Sequence, residues 1–209
     1  MAVITISREL GSEGDRIADL LCEELGVHRV DKVLLLSIAQ EAGVDTEAVL
    51  GLEKGFTQRA RLVSGEMTSL YRKQSSAFEK KGAIDDVTYA SVLRESIERF
   101  AREGDVVIVG RGGQMILRGW PGVLHVRLYA PEAVRTQRLA AREGLSEAEA
   151  KRQIELSDEE KRQYIRGMHD NADWRNPKYY TLTIDTAAIR PEVVVELIAL
   201  AARAQDGDV

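Results

Sequence analysis

The run Asp105-Val-Val-Ile-Val-Gly110 constrains the fold more than any other stretch of this chain. Four successive β-branched residues between an acid and a glycine read as a strand. A strand apolar at every position suits a sheet that helices cover on both faces. The rest of the chain alternates in the way such a sheet needs. Strands are predicted at Val3 to Ile6, Val27 to Val30, Val123 to Tyr129 and Tyr180 to Ile184. Helices are predicted from Gly14 to Leu25, Val87 to Arg102, Pro131 to Arg142, Ser146 to Arg166 and Pro191 to Ala202, the fourth opened by a capping box of Ser146 and Glu149. Further helices are expected at Val33 to Ala42, Thr46 to Leu52 and Thr57 to Lys81. This order implies an α/β chain with a mainly parallel five-stranded sheet, its ligands at the carboxyl ends of the strands.

Composition narrows the function. The formal net charge of −5 counts against non-specific binding to DNA or RNA. Cys22, the only cysteine, allows no disulfide and no four-cysteine zinc site within the chain. His28, His125 and His169 show no metal spacing, so no metal ligands are expected. Apolar runs are too short to span a bilayer, and Val3 opens a β-like run with no secretory pattern ahead of it. A cytoplasmic protein without membrane contact is expected. The chain reads as one domain over residues 1–203 with a frayed tail at 204–209.

Four segments carry chemistry. Between the first strand and helix lies Ser7-Arg8-Glu9-Leu10-Gly11-Ser12-Glu13-Gly14-Asp15-Arg16. A glycine turn at a helix start presents N–H groups and a favourable dipole to phosphate. The same segment also reads as a plain turn, with Ser12 as N-cap and Asp15 as its capping-box partner, neutralised by Arg16. Against the pattern G-x-x-x-x-G-K-[ST], Glu9 replaces the first glycine, Asp15 the lysine and Arg16 the magnesium-binding hydroxyl. An aspartate there opposes triphosphate by a few kcal/mol (order of magnitude) unless cations compensate. Arg8, Arg16, Arg111, Arg135 and Arg162 are the candidates. Gly110-Arg111-Gly112 after the best strand leaves a guanidinium to grip phosphate. Asp158 and Arg162 share a face of the charged helix, either as a solvated ion pair or on a lid. Asp31 can hold a base or ribose, or cap the next helix. Trp120 and Trp174 read as packing residues.

Taken in order, Ile4-Thr-Ile-Ser-Arg-Glu-Leu-Gly-Ser-Glu-Gly14, Val30-Asp31-Lys32, Val107-Ile-Val-Gly-Arg-Gly112, Leu124-His-Val-Arg-Leu-Tyr-Ala-Pro131, Asp158-Glu-Glu-Lys-Arg162 and Tyr180-Thr-Leu-Thr-Ile-Asp-Thr186 resemble the cytidylate kinase-like family over nearly the whole chain. The resemblance implies a P-loop NTPase-type three-layer fold, with a helical nucleoside monophosphate-binding insertion over about 33–103 and a helical lid over about 144–172. It implies transfer of the γ-phosphate of ATP, with Mg²⁺, to a nucleoside monophosphate, CMP or dCMP above others. Arg8, Gly11, Ser12, Glu13, Gly14, Asp15 and Arg16 would then bind donor phosphates, and Asp31 and Arg135 would face the nucleotides. Arg111, Asp158 and Arg162 would act in the transfer, and the insertion is where a homo-oligomer could form. Two other readings stand beside it: a nucleotide-binding pseudokinase without turnover, and a dinucleotide-binding protein in which Asp31 holds a ribose.

Overall fold

Residues 2–31 and 86–205 are described by a computed structural model of the chain. The helices expected over 33–81, most of the proposed insertion and the tail at 206–209 lie outside the described residues.

Five strands form one sheet: β1 (Val3–Arg8), β2 (His28–Val30), β3 (Val106–Val109), β4 (Val123–Tyr129) and β5 (Leu182–Asp185). Their order is β2-β3-β1-β4-β5 and every pairing is parallel. The apolar run of β3 lies inside the sheet between β2 and β1, as its composition required; all four residues are buried. The order also disposes of the dinucleotide reading. In a Rossmann sheet the first strand lies beside the second, whereas here β1 lies between β3 and β4.

Helices cover both faces. Helix α1 (Gly14–Leu25) and helix α6 (Pro191–Gln205) share one face, where Ile17, Leu21, Val194 and Ile198 close over Ile4, Ile6, Val107 and Val126. Helix α2 (Asp86–Glu103) and the short α3 (Gly113–Ile116) lie on the other, where Leu93, Ile97, Ile116 and Leu117 meet Val106 and Ile108. Alternate residues of each strand therefore face opposite cores. Helices α4 (Glu132–Glu143) and α5 (Glu147–Met168) pack on each other through Leu139, Ala150 and Ile154, next to Leu10. The Ser146 and Glu149 capping box opens α5 as expected.

Trp174 is buried, in keeping with a packing role, and Trp120 packs against the second core. Cys22 is half-buried beside the first core, where burial pushes its thiol up to about 11. His125 Nδ1 lies 2.8 Å from Thr5 Oγ1 across the sheet. Among the described residues, no helix is long and apolar enough to cross a membrane.

Candidate functional site

The strand ends of β1 and β3 meet α5 around a cavity of about 270 Å³, whose walls include Arg8, Gly110, Arg111, Gly112, Lys161 and Tyr164. This is where an open parallel sheet places its ligands. Two turns build it.

The first follows β1. Glu9 donates its N–H to the Leu128 carbonyl, which extends the β1–β4 ladder by one residue. The chain then turns back, with the Ser12 N–H and hydroxyl both donating to the Glu9 carbonyl, the hydroxyl at 2.7 Å. Glu13 adopts a left-handed φ of 57° at the N-cap of α1 and caps nothing with its side chain. The expected capping box of Ser12 and Asp15 is therefore absent: the left-handed residue between them points the Ser12 hydroxyl back into the turn. Glycine is needed twice here. A β-carbon on Gly11 would come within 2.6 Å of the Arg135 carbonyl, and one on Gly14 within 2.3 Å of Arg8 Cβ. The first-turn N–H groups of α1 have no intrahelical acceptors.

The charges of this turn pair differently from the sequence expectation. Arg16 turns away to Glu13 and Glu192, at 3.3 and 2.9 Å, and does not neutralise Asp15. Arg8 and Arg29 do, at 3.1 and 2.9 Å. Burial alone would raise the Asp15 carboxyl, but the charges and hydrogen bonds of these two arginines outweigh it and hold it below its ordinary value. Arg29 also reaches Asp31, at 3.3 Å.

The second turn follows β3. Gly110, Arg111 and Gly112 are left-handed in succession, with φ of 81°, 54° and 69°. This is costly for an arginine and natural for its neighbours. The turn carries Arg111 to the cavity wall, where its guanidinium lies 5.3 Å from the centroid of the Tyr164 ring and is not simply exposed to solvent. A β-carbon on Gly112 would come within 2.3 Å of His169 Nε2, so α5 ends tight against this turn. Burial and the nearby Arg94 bring the His169 imidazole down to about 4.

Behind both turns lies a buried charge cluster that the sequence reading missed in part. The Glu9 carboxylate is 6% exposed and meets Arg127 at 2.9 Å and Arg135 at 3.4 Å. Asp158 receives a bidentate pair from Arg135 at 3.2 and 2.9 Å, and a further bond from Arg175 at 3.0 Å. Arg135 also donates to the Leu10 and Ala130 carbonyls. Its guanidinium is therefore engaged by partners inside the protein. Asp158 pairs with Arg135 and Arg175, whereas Arg162 pairs with Glu159 at 2.7 Å and lines a separate cleft with Asp158, Asp173 and Arg175. The structure thus brings Arg8 and Arg111 to one cavity and sets Arg162 on another.

Lys161 projects from α5 into the first cavity. Its ammonium donates to the Arg8 carbonyl and lies 4.5 Å from the centroid of the Trp174 ring. Burial, with Arg8 and Arg127 adding to it, outweighs the attraction of Glu9 and Asp158 and brings the amine down to about 7. The sequence held a signal for it: Ile154, Asp158, Lys161 and Ile165 follow the i, i+4, i+7 spacing of one helix face, and both isoleucines are buried.

A family model described as the cytidylate kinase-like family matches residues 3–188. The chain belongs to that family. A cytidylate kinase from Pyrococcus horikoshii is 28% identical over 203 residues, covering 95% of this chain and 87% of that protein. A uronate isomerase from Corynebacterium glutamicum is 32% identical over 92 residues, covering 44% of this chain and only 18% of its own length. Among solved structures, an uncharacterized protein from Eubacterium ventriosum superposes with a TM-score of 0.69 at 20% identity, covering 97% of this chain and 98% of that one. The Bacillus subtilis YorR protein, solved with phosphorylated GDP, superposes with a TM-score of 0.51 at 11% identity, each chain covered to 98%. At these identities the structural likenesses show the fold, which in this cytidylate kinase-like chain carries the cavity at the ends of β1 and β3.

Proposed function

We propose that the chain transfers the γ-phosphate of MgATP to a nucleoside monophosphate, CMP or dCMP before others. The observation that carries this reading is the convergence of Arg8 and Arg111 on one cavity at the ends of two adjacent parallel strands, with α1 beginning one short turn beyond Arg8. Phosphoryl transfer needs mainly alignment and charge neutralisation, and these groups supply both. The 11–16 turn cradles the donor phosphates, together with the N–H groups of the helix start. Arg111 grips the acceptor phosphate. Asp158 acts from α5 by fixing Arg135 and Arg175, and Arg162, which lines the neighbouring cleft, reaches the transfer only as α5 closes. Arg135 in turn holds the Leu10 carbonyl and so the shape of the donor turn. Asp31 lies beside Arg29 at the end of β2, within reach of a nucleotide sugar or base. Mg²⁺ enters as part of the substrate, held by nucleotide oxygens and water. Arg16, at the position of the usual hydroxyl ligand, is engaged with Glu13 and Glu192, and the described residues contain no cluster of three metal-ligating side chains.

One observation favours a second reading, a nucleotide-binding pseudokinase. The loop offers an acid, Asp15, where an ammonium usually meets the phosphates. A coupled ADP-release assay with MgATP and a panel of nucleoside monophosphates separates the two. The kinase reading expects turnover with cytidine monophosphates ahead of the others. It also expects Arg111→Ala to weaken monophosphate binding by about tenfold or more while the melting temperature stays within a few degrees. ATP binding without ADP release for any acceptor would leave the pseudokinase, and an unchanged affinity in Arg111→Ala would remove Arg111 from the site.

A further inference from the structure

The donor turn has no lysine, yet one lysine reaches it from elsewhere in the chain. Lys161 bonds to the Arg8 carbonyl, and its side chain forms the cavity wall together with Arg8 on the donor side and Arg111 on the acceptor side. Resting on the kinase reading above, we propose that Lys161 supplies, from α5, the ammonium that the turn after β1 lacks, and that it touches the oxygens of the transferring phosphoryl group.

Three features of the geometry support this role. The first is position. Lys161 stands between the end of β1, where the donor turn begins, and the turn that carries Arg111. The second is rigidity. Its ammonium lies over the ring of Trp174, which is itself buried, and Trp174 is flanked by Arg127 and Arg175. An ammonium held this way needs little reordering to meet an oxyanion. The third is charge. Arg8 and Arg127 repel Lys161, while Glu9 and Asp158 attract it, and Glu160 and Arg111 share the cavity wall. With Arg8 partly spent on Asp15, the cavity relies on the remaining cations to receive phosphate. The Arg8 carbonyl is a weak partner for a charged amine and is easily exchanged for a phosphate oxygen.

The test compares MgATP and adenosine binding to the full chain by titration calorimetry, for the wild type, Lys161→Met and Lys161→Arg. Methionine keeps an unbranched apolar side chain of similar length and removes the charge. Lys161→Met is expected to lower ATP affinity by about tenfold or more and to leave adenosine affinity unchanged, and Lys161→Arg is expected to restore most of the ATP affinity. Equal ATP affinity in the wild type and Lys161→Met would overturn the assignment.

The wild type alone provides a second check should a variant not fold. Its ATP affinity should fall by about tenfold as pH rises from about 7.5 to 9, because a neutral amine no longer attracts phosphate. Carboxylates and guanidiniums as classes keep their charge over that range. Lys161→Arg should be flat there, and a wild-type affinity that rises over the same range would overturn the proposal. Both measurements read affinity and not turnover. Absence of ADP release with every acceptor would therefore sink the kinase reading while leaving the role of Lys161 in phosphate binding to be decided by these comparisons.

Discussion

Arg8 and Arg29 hold the Asp15 carboxylate between them, and this pairing governs what the acid does to an incoming triphosphate. A carboxylate answered by two guanidiniums projects little net field beyond them, so it does not bar phosphate as a bare aspartate would. The Asp15 side chain is also about half exposed, at 55%, where an ion pair contributes little to stability. Asp15→Asn is therefore expected to change ATP affinity by less than about threefold and to leave the melting temperature nearly unmoved. A titration showing a gain beyond about tenfold, or about 1.4 kcal/mol, would mean that the carboxylate repels phosphate directly, and would turn the balance to the pseudokinase. The sequence revealed the acid in the lysine position but not its partners. Asp15 and Arg16 are neighbours in the chain, whereas Arg29 arrives from β2, a contact that only the folded sheet creates. Glu9 was legible as a departure from a glycine pattern. Its role as a buried counter-ion for Arg127 and Arg135 depends on β4 and α4 and leaves no local trace.

Helix α5 joins the charge cluster to the cavity, so its N-terminal cap has a measurable effect. Ser146 accepts the Glu149 N–H, and Glu149 answers from the Ser146 N–H at 3.0 Å. Ser146→Ala is expected to destabilise the protein by about 1 kcal/mol, and hydrogen exchange should quicken in the first turn of α5 before it does at Lys161. Equal protection along the helix in both proteins would mean the cap is redundant. At this scale the sequence was informative. Strands and helices were readable within a few residues because each buries a face with its own period. The cap of α5 was readable because Ser-x-x-Glu is local chemistry. The same spacing misled at α1, where Ser12 and Asp15 match the pattern but Glu13 is left-handed. The four-residue α3 and the turn at Pro177–Tyr179 escaped because short helices carry too few positions to show a period. The inward stripe of α5 was there to read, and it placed Asp158 and Lys161 inside and Arg162 off the face.

Over the whole molecule, acid should loosen the fold through His169 before it neutralises most carboxylates. Its folded value of about 4 lies below the ordinary 6.5, so the unfolded chain takes up this proton first. Stability is thus fully present above about pH 6.5 and is lost as pH falls from there towards 4. His169→Asn should flatten the dependence of melting temperature on pH across that window, and an unchanged slope would assign the loss to other groups. The order of the sheet has a consequence for how the chain is made. Val3 pairs with Val106 on one side and Val123 on the other. At about 5–20 residues per second, the first strand leaves the ribosome roughly 5–20 s before either neighbour exists. During that interval Ile4 and Ile6, with Ile17 and Leu21 of the following helix, have no sheet to close against. The first strand meanwhile remains an unpaired apolar segment, the kind of nascent chain that holding chaperones bind.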